Sequence, residues 1–330
     1  MLVRTYYDMV TGQLQRTALD KLGISARLRS GRCVPAWLWG DKLRQRDCHH
    51  RVALVGQNAL MNWVISNLRA IWRLTRVALH LAAGSATVFC VYPMLAQRWR
   101  LAIKQRWSRQ LLEMFGVELK VSGTHTAVMQ VANHVSWLDI LAINAVSPAA
   151  FVAKADVRDW PLIGWMSART DTIYIRRGSL RAAHETTRQL AACLAEGLGV
   201  VVFPEGTTSD GFQVLPFHGA LLQGAIMSGV PVQPVALRYQ TGDERPAQAP
   251  VYCGETSLLQ SMWRVATASG LAVRLEFLAA HTTVGVDRRQ LAARLRGDIA
   301  AALCLSLDGA SIQPRQVQSA NQFQLVGDVA

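Results

Sequence analysis

The sequence predicts an α/β fold: a mixed, largely parallel central sheet flanked by helices and preceded by N-terminal membrane-associated helices. Three observations predict it. From Leu111 onward, short apolar runs alternate with longer segments of helical period, the pattern of strands joined by crossover helices. Leu198–Phe203 is continuously apolar, as expected of a strand covered on both faces. Ahead of these elements, residues 61–105 place Trp, Leu and Ile among arginines in a helical rather than a strand-like pattern.

In chain order, residues 1–60 form a basic segment with ten Lys/Arg against four Asp. Gly, Pro and Ser interrupt its periodicity, so it is expected to be poorly ordered or loosely helical. No apolar core follows its basic residues, which argues against a signal peptide. Residues 61–105 are expected to be membrane-associated helices. Asn62–Ile71 is amphipathic, and Val77–Leu95 is a 19-residue apolar run. That run reaches the lower limit for a spanning helix, roughly 17–25 residues. His80, Gly84, Ser85, Thr87 and Pro93 interrupt it, and arginines flank both ends, which suits an embedded helix at least as well as a span.

Residues 106–285 form the α/β domain. Strands are expected at 127–132, 149–153, 172–175, 198–203, 232–237 and 271–278. Helices are expected at 136–146, from Ser179 to Gly197, at 216–228 and at 258–268. Gly197 and Gly229 serve as helix stops. Residues 286–330 complete the chain with a helix over 287–303 and a tail expected to fray from about Asp308.

Apolar residues make up 51% of the 330 residues and charged residues 17%, above and below ordinary soluble values. The mean hydropathy of +0.16 agrees. A net charge of +13 implies an anionic partner, and the apolar content favours a bilayer surface over nucleic acid. Six cysteines without a C-x-x-C pair suit reduced thiols and no metal cluster. No metal or cofactor is expected.

The candidate chemistry centres on Val131–Ile140, V-A-N-H-V-S-W-L-D-I. His134 and Asp139 lie five residues apart and can meet if His134 sits in a loop and Asp139 in the first turn of the next helix. A carboxylate beside an imidazole sets its tautomer and stabilises its charged form. The same spacing admits a plainer reading, with Ser136 as N-cap and Asp139 closing a capping box. A second cluster, F-P-E-G-T at 203–207, follows the buried strand at its carboxyl end, where open α/β sheets bind ligands. Glu205 can orient a basic group or an acceptor hydroxyl. Gly206 lets backbone approach a ligand, with nearby amides as anion donors. Arg176 and Arg177 end the 172–175 strand and suit a phosphate, and Lys154 is a weaker candidate of the same kind.

These blocks resemble those of the glycerophospholipid acyltransferases, the 1-acyl-sn-glycerol-3-phosphate O-acyltransferase-like family. N-H-V-S-W-L-D matches the family's first motif, N-H-x-S-x-x-D. T-I-Y-I-R-R-G matches the second, in which Arg177 stands at the phosphate-binding position. F-P-E-G-T, containing Glu205, Gly206 and Thr207, matches the third, and V-P-V-Q-P-V-A-L at 230–237 the fourth. The resemblance covers about residues 70–280. It implies transfer of a fatty acyl group from acyl-CoA or acyl-ACP to 1-acylglycerol-3-phosphate, giving phosphatidate in phospholipid biosynthesis. His134 would be the general base, Asp139 its partner, and Arg177, Arg176, Glu205, Gly206, Thr207 and Lys154 the substrate-binding residues.

Three positions depart from the family pattern: Arg176 where an acidic residue is common, Thr208 where arginine is common, and His218 where lysine is common. They leave lyso-ornithine lipid as an alternative acceptor. A hydrolase with Ser136 as nucleophile is a further alternative, against which no G-x-S-x-G elbow is present. An inactive membrane-binding homologue is another. The expected partners are a lysophospholipid, an acyl thioester donor with acyl carrier protein among the candidates, and an anionic membrane surface, with no nucleic acid. The implied location is the inner (cytoplasmic) membrane, with the site facing the cytoplasm.

Overall fold

A computed structural model describes residues 42–175, 180–242 and 245–305, with side chains from residue 60 onward except those of 180–183. Arg176, Arg177, most of the basic N-terminal segment and the C-terminal tail lie outside the described residues. The chain divides into two compact units, Met1–Leu60 and Met61–Ala330. The second unit holds the whole sheet.

Helices precede the sheet, as expected, but their extent differs from expectation. Helix α1 runs over Lys42–Cys90, so the part of the 1–60 segment that is described follows the helical branch of the expectation, poorly ordered or loosely helical. No proline occurs between Pro35 and Pro93, and proline is the strongest helix breaker. Among the described residues no helix is long and apolar enough to cross a membrane. Val77–Leu95 is not one continuous element: α1 stops at Cys90 and a 3-10 turn with proline in its first turn occupies Tyr92–Met94.

One face of α1 is sealed onto the domain. Ala70, Leu74, Val77, Leu81, Gly84 and Val88 recur at spacings of four and three, the stripe that an α-helix needs to bury one side. A Cβ at Gly84 would stand 2.5 Å from Trp107 Nε1, so only glycine lets α1 pass this close to α2, Gln97–Phe115. Helix α2 buries Leu111, Leu112 and Phe115 and ends at Gly116, whose φ of 71° is the left-handed cap that stops it.

Among the described residues seven strands form the sheet: β1 Val117–Ser122, β2 Met129–Ala132, β3 Ala150–Lys154, β4 Ile173–Ile175, β5 Val200–Val202, β6 Val232–Gln240 and β7 Leu271–Phe277. Their spatial order is β1-β7-β6-β2-β5-β3-β4. Every pairing is parallel except β6 with β7. The helices are α3 Leu138–Asn144, α4 Ile163–Ser167, α5 Leu180–Ala195, α6 Leu222–Ser228, α7 Leu258–Thr267 and α8 Arg288–Ala302. Val200, Val201 and Val202 are fully buried, so β5 is covered on both faces as its apolar run predicts.

Other elements differ from the sequence reading, among them α4, which it did not include. The alternating V-E-L-K-V-S of β1 is an edge strand, paired with β7 from Val117↔Leu271. The helix expected over 216–228 begins only at Leu222. The preceding segment is tied to the β5 turn, His218 N–H donating to the Pro204 carbonyl at 2.9 Å. A Cβ at Gly219 would stand 2.9 Å from the Arg288 carbonyl. Tertiary contact replaces the first helical turn there.

The topology places the site. Strand β2 connects through α3 to β3 on one side, while β5 connects through α6 to β6 on the other side of β2. Adjacent parallel strands whose connections diverge leave a crevice at their carboxyl ends. Val131 pairs with Val202, so the chain leaves β2 toward His134 and β5 toward Glu205 at the same edge.

Candidate active site

Asn133 explains how the backbone leaves the sheet. Pairing of β2 with β6 ends at Ala132↔Val235. Beyond it, the Asn133 side chain donates through Nδ2 to the Leu237 carbonyl at 2.9 Å and accepts from Leu237 N–H at 2.8 Å. A carboxamide carries a peptide's donor and acceptor on one carbon. It can therefore replace the next ladder rung while the main chain peels away to carry His134.

His134 meets Asp139: Nδ1 to Oδ2 is 2.8 Å. The same Oδ2 accepts from Val135 N–H at 2.7 Å and Ser136 N–H at 2.9 Å, and Oδ1 accepts from the Tyr239 hydroxyl at 2.7 Å. Asp139 is wholly buried, and four donors hold it in place. With Nδ1–H donating to a carboxylate, the His134 lone pair lies on Nε2, the tautomer a general base requires. Phe203 stacks on the imidazole at 4.0 Å between centroids and 13° between planes, which fixes the ring's tilt. The His134 side chain stays 19% exposed.

The capping reading is half realised. Asp139 accepts from Ser136 N–H, but the Ser136 hydroxyl accepts from Leu138 N–H at 3.3 Å rather than from Asp139. Ser136 is fully buried, which takes it out of a substrate's reach and removes the basis for a serine hydrolase.

Glu205 faces the protein. Phe203, Pro204, Glu205 and Gly206 form a tight turn closed by Gly206 N–H on the Phe203 carbonyl at 3.1 Å, with Pro second and Gly fourth as a β-turn favours. The Glu205 carboxylate is turned inward. Oε1 accepts from His134 N–H at 2.9 Å and Oε2 from Leu215 N–H at 3.2 Å. Burial pushes this carboxyl up to about 7; the two backbone donors and Arg296 pull it down, and Asp139 adds to the rise. The orienting role expected of Glu205 falls on the His134 backbone. The Gly206 amide is committed to its own turn.

Other expected residues fall in different places. Thr207 is exposed on the turn. Lys154 ends β3, exposed, in register with Ile175, the last described residue before Arg176 and Arg177. Thr208 donates its hydroxyl to the Tyr252 carbonyl, and Tyr252 N–H donates to the Val135 carbonyl at 3.1 Å. Sequence reading missed Tyr239, Leu215 and Arg296. Asn133 and Phe203, inside the quoted motifs, carried the only local signal for residues outside the expected set.

Comparison with known proteins supports the family resemblance. A family model described as Acyltransferase matches residues 117–238. The lyso-ornithine lipid O-acyltransferase of Pseudomonas aeruginosa is 36% identical over 206 residues, spanning 62% of this chain and 79% of that protein. The chain belongs to the glycerophospholipid acyltransferase family. Other relatives of this acyltransferase include the 1-acyl-sn-glycerol-3-phosphate acyltransferase of Neisseria meningitidis, 36% identical over 55% of this chain and 71% of that one. The lyso-ornithine lipid O-acyltransferase of Brucella abortus is 30% identical over 72% of this chain and 97% of that one. The crystal structure of the 1-acyl-sn-glycerophosphate acyltransferase from Thermotoga maritima shares the fold. Its TM-score is 0.56 at 21% identity, over 73% of this chain and 96% of that one.

Proposed function

We propose that this acyltransferase moves a fatty acyl group from a thioester, on coenzyme A or acyl carrier protein, to the free hydroxyl of an anionic lysolipid. The leading acceptor is 1-acylglycerol-3-phosphate, with phosphatidate as product in phospholipid biosynthesis. The observation that carries the reading is His134, held through Nδ1 by a buried, fully bonded Asp139 and still reachable from solvent. His134 Nε2 takes the acceptor's hydroxyl proton as its oxygen bonds to the thioester carbonyl carbon. The C–S bond then breaks, and the departing thiolate recovers the proton from His134. Arg177 and Arg176 are assigned to the acceptor's anionic headgroup, with Lys154 and Thr207 beside it.

Lyso-ornithine lipid is the second reading, and one observation favours it. The position at which arginine is common in the family holds Thr208, whose hydroxyl is spent on the Tyr252 carbonyl. Thr208 takes a cation out of this turn, which suits an acceptor without phosphate.

The membrane-facing surface is assigned to α1 and α2. Trp63, Ile71, Trp72, Leu79, Phe89 and Trp99 are exposed there, with Arg76 over the Trp72 ring at 5.9 Å and Arg98 over Trp99 at 5.5 Å. Aromatic rings among arginines suit the headgroup level of an anionic bilayer. The reading places the enzyme on the cytoplasmic face of the inner membrane.

The test is purified protein in lipid, given an acyl thioester and a panel of lysolipids, with products weighed by mass spectrometry. His134→Ala runs alongside. Diacyl product from wild type and nearly none from folded His134→Ala is expected. Free fatty acid without lysolipid product would overturn the transferase reading.

A further inference from the structure

The Val214–Leu215 peptide links the C-terminal helix to the turn that carries His134. On its carbonyl side, Arg296 of α8 donates twice to the Val214 oxygen, through Nε at 3.0 Å and Nη2 at 2.7 Å. On its amide side, Leu215 N–H donates to Glu205 Oε2. Glu205 Oε1 in turn accepts from His134 N–H. Arg296 lies outside the stretch matched by the family model, 117–238, and 162 positions beyond His134 in sequence.

We propose that Arg296 is a positioning residue for acyl transfer: by gripping the Val214 carbonyl it fixes the peptide whose amide seats Glu205 under the His134 backbone. This rests on the acyl-transfer reading of the site. Two features make the link directional. A guanidinium on a carbonyl oxygen polarises the whole peptide, strengthening the Leu215 N–H as a donor at its other end. Both oxygens of Glu205 are acceptors here, so the seat needs the carboxylate form; a protonated carboxyl would offer an O–H where one backbone N–H points.

The charged groups facing Glu205 are Asp139 from the β2–α3 turn and Arg296 from α8, and His134 meets it through its backbone N–H. Asp139 disfavours the Glu205 charge and Arg296 favours it. Burial already brings Glu205 to about 7. Loss of the Arg296 charge therefore moves its titration further up, into the range where the enzyme would be assayed.

The experiment measures kcat and KM from pH 5.5 to 9.5 for wild type, Arg296→Met, Arg296→Gln and Arg296→Lys, each checked for folding by circular dichroism. In Arg296→Met the acid limb of kcat is expected to move up by about one pH unit. That is about tenfold less turnover near pH 6.5, with recovery toward wild type above pH 8.5 and KM for the thioester little changed. Arg296→Lys should restore part of the shift. Arg296→Gln keeps a donor without the charge, so it should still show the acid-limb shift even if Arg296→Met does not fold. An equal loss at every pH, or an unshifted profile in both neutral variants, would overturn the assignment. Those outcomes leave wild-type transfer intact. A wild type that makes no lysolipid product would instead remove the acyl-transfer reading itself.

Discussion

Tyr239 and Asp139 lie 100 residues apart in sequence and share a buried hydrogen bond, the Tyr239 hydroxyl donating to Asp139 Oδ1 at 2.7 Å. His134 holds the other oxygen. Strand β6 thus braces the carboxylate from the side away from the imidazole. Burial and the neighbouring carboxylate push the Tyr239 hydroxyl well above its ordinary range, which keeps it a donor.

The two partners of Asp139 should separate in a graded way. Asp139→Asn presents an amide to Nδ1 and favours the wrong tautomer, so kcat is expected to fall by about 10³–10⁴. Tyr239→Phe leaves His134 its partner but takes a donor from a buried oxygen, costing about 1–2 kcal/mol of stability and less than about tenfold in kcat. Steady-state kinetics and urea unfolding on both variants check the order; equal losses of activity would contradict it.

Glu205 should give stability a pH slope. An ordinary glutamate titrates near 4.5, and here the folded-state value is about 7. Between those values the unfolded chain is ionised while the folded carboxyl keeps its proton. Folding stability therefore falls as pH rises from about 4.5 to about 7, by about 3 kcal/mol, and is flat above. Urea unfolding at pH 5 and pH 7.5 should show this drop in wild type and a much smaller one in Glu205→Gln. The same drop in both proteins would rule out Glu205 as its source.

The aromatic face of α1 and α2 should bind anionic vesicles. Trp63→Ser, Trp72→Ser and Trp99→Ser together are expected to cut sedimentation with phosphatidylglycerol vesicles by at least about tenfold, with wild-type binding weakening as salt rises. Transfer to a short-chain, soluble lysolipid should be largely kept. Undiminished binding by the triple variant would move the docking surface elsewhere.

Arg73 clamps α1 to the end of α7. Its Nη1 donates to the Ala268 carbonyl at 2.7 Å and the Ala266 carbonyl at 3.0 Å. Arg73→Met should cost about 1–3 kcal/mol by leaving these partly buried carbonyls without their charged donor. Differential scanning calorimetry reads this as a lower Tm, with turnover per folded molecule unchanged.

Most of the strands were legible in the sequence because each is a local pattern: V-V-V of β5 and V-Q-P-V-A-L of β6 are apolar over strand length. So was the pairing of His134 with Asp139, since five residues suffice to turn from strand end into helix. Legibility stopped where a neighbour distant in sequence decides. The segment 216–221 reads as helix by periodicity, but His218 N–H is taken by the Pro204 carbonyl. Glu205 reads as a substrate ligand because its turn sits at a strand end, but its oxygens are taken by His134 and Leu215.

The sequence by itself determined the strand–helix alternation, the two turns that carry His134 and Glu205, and the family to which they belong. These rest on backbone preferences and side-chain periods that act within a few residues. Only the tertiary structure decided which turns meet. The order β6-β2-β5 brings Tyr239 to Asp139 and Glu205 beneath His134, and the packing of α8 brings Arg296 to Val214. Strand order and helix packing follow from how the whole set of apolar faces is buried at once, and no local stretch encodes that.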